Sequence, residues 1–200
     1  MMNKNLLALS LIAALAAVPS VSMAAQTHGD FFVNAQAGQS VLRGMTASND
    51  TSTGSALNVG YRWNLSPTLQ LGVEAGYANM GSYSDSDAIT KVDGKLSGNT
   101  FGITSKFLLG RNWYMSLDGG YFAAKQRISG SGRAYVPGWG YAPFSYSESH
   151  TKADSYFTFG VGYDFNKHVG IGFTASSFGD KDKQFDLTSN LYAVDLEVRF

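Results

Sequence analysis

Read two residues at a time, the stretch from Asn190 to Phe200 separates into two faces. Tyr192, Val194, Leu196, Val198 and Phe200 lie on one, and Leu191, Ala193, Asp195, Glu197 and Arg199 on the other. This is the period of a β-strand with one apolar side. The same alternation recurs upstream. Phe31, Val33, Ala35, Ala37 and Val41 alternate with Asn34, Gln36, Gly38 and Ser40; Leu57, Val59, Tyr61 and Trp63 alternate with Asn58, Gly60 and Arg62. Further segments follow at Leu69 to Tyr77, Asn99 to Leu109, Trp113 to Ala123, Ser155 to Phe165 and Val169 to Ser177, which makes eight with the last. Segments of about ten residues, tilted near 45°, match a hydrocarbon band about 25 Å tall.

The connections alternate in length. Asn64 to Thr68, Gly110 to Asn112 and Asn166 to His168 are tight and carry the Pro, Gly and Asn that turns require. Between them lie the polar stretches Leu42 to Gly54, Ala78 to Gly98, Ala124 to Asp154 and Gly179 to Ser189. Short turns on one side and long loops on the other predict an all-β, eight-stranded antiparallel transmembrane up-and-down β-barrel. An exported β-sandwich alternates in the same way, but uniform long strands and one-sided loop lengths favour the barrel.

Charge supports the phase. Inside the segments the charged residues are Arg62, Glu74, Lys106, Asp118, Asp164, Asp195, Glu197 and Arg199, and each falls opposite the apolar face. A Lys or Arg on lipid at mid-depth costs about 2–4 kcal/mol, so this phase puts the charges in the lumen. Strand neighbours there suggest Arg62 with Glu74 and Lys106 with Asp118. The interior of eight strands is just wide enough for side chains to fill it. A plug of salt bridges is the first expectation, and a narrow cation-preferring channel, given the excess of acids, the alternative. Inward-facing glycines such as Gly60, Gly72, Gly102 and Gly162 leave room for these side chains. Trp63, Trp113, Phe165, Phe200 and Phe31 at the short-turn ends, with Tyr77, Phe101, Tyr121, Phe157 and Tyr192 at the other, predict two interfacial girdles.

The N-terminus bears on compartment. Lys4 precedes the apolar run Leu6 to Val18, and Ser22-Met23-Ala24 offers small residues at alternate positions, so residues 1–24 read as a cleaved signal peptide and 25–200 as the barrel domain. Cysteine is absent, which excludes disulfides, thiolate metal sites and a Cys nucleophile. Fifteen basic and fifteen acidic residues point away from nucleic acid.

Together the signal peptide, eight alternating segments, short turns, long loops and terminal Phe200 resemble the small outer-membrane barrels of the OmpA transmembrane-domain and OmpX/Ail type. The resemblance covers the whole mature chain as a pattern, with no short motif that selects one member. It implies a bacterial outer-membrane location and a role in envelope integrity, adhesion or ligand contact through surface loops. It also implies that Tyr192, Val194, Leu196, Val198 and Phe200 act as the signal to the barrel-assembly machinery. The periplasmic peptidoglycan-binding domain of OmpA-like proteins has no counterpart before Phe200.

Function is therefore expected in the loops. Ala124 to Asp154 contains Tyr135, Trp139, Tyr141, Phe144 and Tyr146 among Pro137, Gly138, Gly140 and Pro143, a composition suited to contacting a host factor or other surface ligand. The plainer reading is that the rings only pack the hairpin. Lys125, Arg127 and Arg133, with Lys181 and Lys183, are candidates for lipopolysaccharide phosphates, against solvated loop charges. The expectation is a monomer without cofactor, metal site or catalysis. Ser149, His150 and Asp154 are close in sequence, which does not make a triad, and His28 and His168 lie elsewhere.

Overall fold

The computed structural model describes residues 29–43, 50–86, 90–136, 140–179 and 188–200. The leader expected at 1–24 lies outside them. Within them the chain forms β1 (Gly29–Arg43), β2 (Asp50–Ser66), β3 (Leu69–Ser86), β4 (Thr90–Leu109), β5 (Trp113–Val136), β6 (Gly140–Asp164), β7 (Val169–Gly179) and β8 (Thr188–Arg199). Each strand pairs antiparallel with its neighbours, and β8 pairs with β1 to close the barrel. The Phe200 amide donates to the Phe31 carbonyl at 2.9 Å, extending the closing seam to the last residue. Closure leaves no open edge at membrane depth, which hydrocarbon would not tolerate.

The rungs define the tilt. One inward row runs from Phe32 through Gly60, Glu74, Gly102, Gly120, Tyr156, Phe178 and Ser189 and returns to β1 at Leu42, ten residues above its start. That stagger inclines the strands by about 40°. Apolar residues of the outer face, including Val59, Val73, Ile103, Phe159 and Phe173, stand exposed around the cylinder, while the polar phase is buried inside. Along β5, Trp113 and Tyr121 bound this belt from below and above. The eight steps from one to the other, at about 3.3 Å each and so tilted, span about 20 Å of bilayer normal. Only a lipid exterior makes that surface favourable.

Local chemistry ends the strands where the short turns were expected. Gly110 takes a φ of 78° between β4 and β5, a conformation that favours glycine. The Asn166 side chain accepts from the His168 and Val169 amides at 2.7 and 3.0 Å and folds the chain into β7.

The expected long loops are another matter. Ala78 to Gly98 and Ala124 to Asp154 are largely strand: β3 pairs with β4 out to Ser86 and Lys91, and β5 with β6 out to Val136 and Gly140. Above the bilayer the outer face meets water, so the alternation that marks a strand fades while its hydrogen-bond ladder persists. A bulge between Asn79 and Ser82, where Gly81 has a φ of 84° and its amide bonds Asn79 Oδ1 at 3.0 Å, carries β3 through this change.

Candidate functional site

Two places gather the sequence's candidates: the lumen and the tall hairpin of β5 and β6. All eight charged residues read as inward are buried. Their pairing differs from the strand-neighbour expectation. Arg62 Nη1 meets Glu197 Oε2 at 2.6 Å instead of Glu74, and Lys106 Nζ meets Asp164 Oδ1 at 3.0 Å and Glu197 Oε1 at 2.9 Å instead of Asp118. In the ladder Arg62 lies beside Gly72 and Lys106 beside Ser116. Inside a closed sheet, side chains converge on the axis, so long cations reach across the lumen more readily than along the wall.

The lumen has three layers. Its floor, nearest the short turns, holds Arg62, Lys106, Asp164, Glu197 and Arg199. Arg199 clasps both oxygens of Asp164, at 2.8 and 3.0 Å, and lies 3.5 Å from Glu197. The Arg62 guanidinium stacks over Phe32, 3.9 Å from the ring centre, and Lys106 over Tyr114 at 3.8 Å. Those rings fit because Phe32 lies on Gly60 and Tyr114 on Gly162, where any Cβ would collide with them. Phe32 and Tyr114 belong to the site and have no mark in sequence beyond their inward phase.

Above the floor sit Glu74, Asp118 and Asp195, with no cation bridging them among the described residues. Glu74 accepts from the Tyr156 hydroxyl at 2.7 Å, and Asp195 from Asn34 Nδ2 at 2.9 Å. Asp118 Oδ1 has no hydrogen-bond partner among the described residues. Higher still the lumen turns apolar: Met80, Leu96, Phe122, Phe178 and Leu191 pack with Tyr156, the Phe122 and Phe178 rings 4.9 Å apart. Sequence reasoning missed this ceiling. Its signal was present in Tyr121-Phe122 and Ser177-Phe178, where an aromatic occupies the polar phase.

At the hairpin, Tyr146 lies against Gly130, its ladder partner, and both it and Phe144 remain exposed on one face. Tyr135 and Tyr141 are ladder partners of each other. Trp139 lies outside the described residues. Residues 144–149 of β6 are exposed in unbroken succession, so both faces of the strand meet water. On its far side β6 joins β7, among the described residues, only from Ser155, opposite Gly179, downward. Ser149 and Asp154 fall on opposite faces of β6, so the trio read with His150 does not converge. His168 bonds the Arg199 carbonyl through Nδ1 at 3.0 Å in a short turn; His28 lies outside the described residues.

Lys125 and Arg127 are exposed on β5, whereas Lys181 and Lys183 lie outside the described residues, as does the side chain of Arg133. In β8, Tyr192, Val194 and Phe200 face outward and are exposed, with Leu196 and Val198 half-buried between them.

No protein-family model and no curated protein matches this sequence. By structure the chain is similar to Ail, the attachment invasion locus protein of Yersinia pestis, with a TM-score of 0.58 at 14% identity over 87% of this chain and 100% of that one. The same protein in complex with the heparin analogue sucrose octasulfate gives 0.54 at 15% identity, covering 87% and 100%. Neisserial surface protein A gives 0.46 at 14%, covering 85% and 97%. At these identities the likeness to Ail is one of fold.

Proposed function

We propose that this chain, which has the fold of the small eight-stranded outer-membrane barrels, is a monomeric, non-enzymatic surface protein of the bacterial outer membrane. It is exported by the leader at 1–24 and inserted by the barrel-assembly machinery through Tyr192, Val194, Leu196, Val198 and Phe200. Lipid holds its belt, and the hairpin of β5 and β6 projects outward for adhesion or ligand contact. The carrying observation is the upper part of β6, exposed on both faces at 144–149 and paired, among the described residues, along one edge only. A strand with an open edge offers backbone donors and acceptors to an extended segment of another molecule, and Phe144 and Tyr146 add apolar contact beside it. That Ail is an attachment protein solved with a heparin analogue supports a role in surface contact.

Removing Tyr135 to Tyr146 tests the reading. Cells carrying the shortened hairpin should lose adhesion to surfaces coated with extracellular-matrix protein while the barrel still folds. Unchanged adhesion in a folded variant rejects the hairpin as the contact element.

The second reading, a cation-preferring channel, is favoured by the bridgeless carboxylates Glu74, Asp118 and Asp195. The apolar ceiling above them and the ion-paired floor below favour the plug. Planar-bilayer recording separates the two. Steady unitary currents abolished by Asp118→Asn or Glu74→Gln would establish the channel.

A further inference from the structure

The outer wall carries a group of cations above the belt that belongs to neither the lumen nor the hairpin tip. On β4 and β5 the odd-numbered positions face away from the axis, as the exposure of Phe101, Ile103 and Tyr121 shows. The same phase, carried upward, sets Lys95 opposite Arg127 and Ser97 opposite Lys125. These four side chains line one shallow pocket of about 160 Å³ on the wall. Lys95, Lys125 and Arg127 are exposed, and none forms an ion pair among the described residues. Three like charges on adjacent rungs repel one another unless an anion sits among them.

Their height names the anion. Lys125 stands four residues beyond Tyr121 on the same outward phase, about 10 Å further along the bilayer normal. That is the headgroup layer directly above a girdle residue, on a face continuous with lipid. A ligand in this pocket shares the wall with the acyl chains below it. We propose that Lys95, Ser97, Lys125 and Arg127 form a binding site for the phosphate groups of an anionic glycolipid of the outer leaflet. The Arg127 guanidinium offers a two-pronged donor to phosphate oxygens, the two lysines act as point charges around it, and the Ser97 hydroxyl donates at the side. Lys95 and Ser97 enter this site only through the register, since 28 positions separate Ser97 from Lys125 and 32 separate Lys95 from Arg127. The proposal rests on the outer-membrane reading above.

Protein expressed from the full chain, purified from cell membranes in detergent and stripped of lipid, is titrated with diphosphoryl lipid A and with the same lipid lacking both phosphates. Native mass spectrometry counts the lipid on folded barrels. Lys125→Gln with Arg127→Gln is compared with Arg111→Gln with Lys167→Gln, which removes two charges at the short-turn end. The diphosphoryl lipid should bind the native protein and the turn variant alike and the cluster variant about 30-fold more weakly. The dephosphorylated lipid should bind native protein no better than the diphosphoryl lipid binds the cluster variant. Equal affinity in the cluster and native proteins, or an equal loss in the turn variant, overturns the site. Inorganic phosphate in large excess should leave the lipid bound; complete displacement would make this a general anion site and overturn the commitment to lipid. Heat-modifiable gel mobility reports folding separately. A cluster variant that binds lipid normally while hairpin deletion still abolishes adhesion sinks this inference and leaves the surface-contact reading standing.

Discussion

Glu197 is the residue on which the lumen's floor converges. It is 2% exposed and touches Arg62, Lys106 and Arg199, so neutralising it leaves three buried cations to share Asp164. Glu197→Gln should destabilise the barrel by about 3–5 kcal/mol, measured by urea unfolding in detergent or lipid. Glu74→Gln should cost much less, because Glu74 forms no ion pair with a described residue and its amide replacement still accepts from Tyr156. Equal losses in the two variants would contradict the observed pairing and favour the neighbour pairing of Arg62 with Glu74. Gly60 is a second sensitive position. A Cβ there would lie 2.6 Å from the Phe32 ring, so Gly60→Val should displace that ring from under Arg62 and destabilise by about 1–3 kcal/mol in the same assay.

Among the elements, β8 and the hairpin of β5 and β6 behave differently because their surroundings differ. β8 lies wholly within the closed part of the barrel, paired with β7 and β1. Deleting Phe200 removes one seam hydrogen bond and one exposed ring. Refolding of purified protein into detergent should therefore be nearly unchanged, whereas assembly in cells, followed by the heat-modifiable band in membrane fractions, should fall severalfold. Equal yields in cells would dismiss the terminal strand as an assembly signal. The hairpin instead rises beyond β7, supported by β4 over only part of its length. Shortening it should leave the unfolding free energy of the barrel, from urea titration, within about 0.5 kcal/mol of native.

At the scale of the molecule, closure and filling act together. Among the described residues the lumen holds chemistry of two kinds, ion pairs below and packed rings above, and each draws its partners from more than one wall of the cylinder. Phe122→Ala with Phe178→Ala opens the ceiling but leaves the floor in place. Bilayer recordings should therefore show no steady unitary current from this variant, and adding Glu197→Gln should raise the leak. A conducting native protein would overturn the plug.

Strand phase and barrel class were legible in sequence because both follow from short-range rules. Alternate residues face alternate sides, and lipid penalises each charge placed outward. Eight segments, the short turns and the inward fate of Arg62, Lys106 and Glu197 needed nothing more. What only the tertiary structure decided involves distance across the cylinder. Curvature and stagger brought β2, β4, β6 and β8 to one ion-pair cluster, stacked Phe122 against Phe178, and placed Lys95 beside Arg127. Above the bilayer the strands ran on where the pattern had faded, because water constrains the outer face of a sheet far less than hydrocarbon does while hydrogen-bond pairing remains favourable in both.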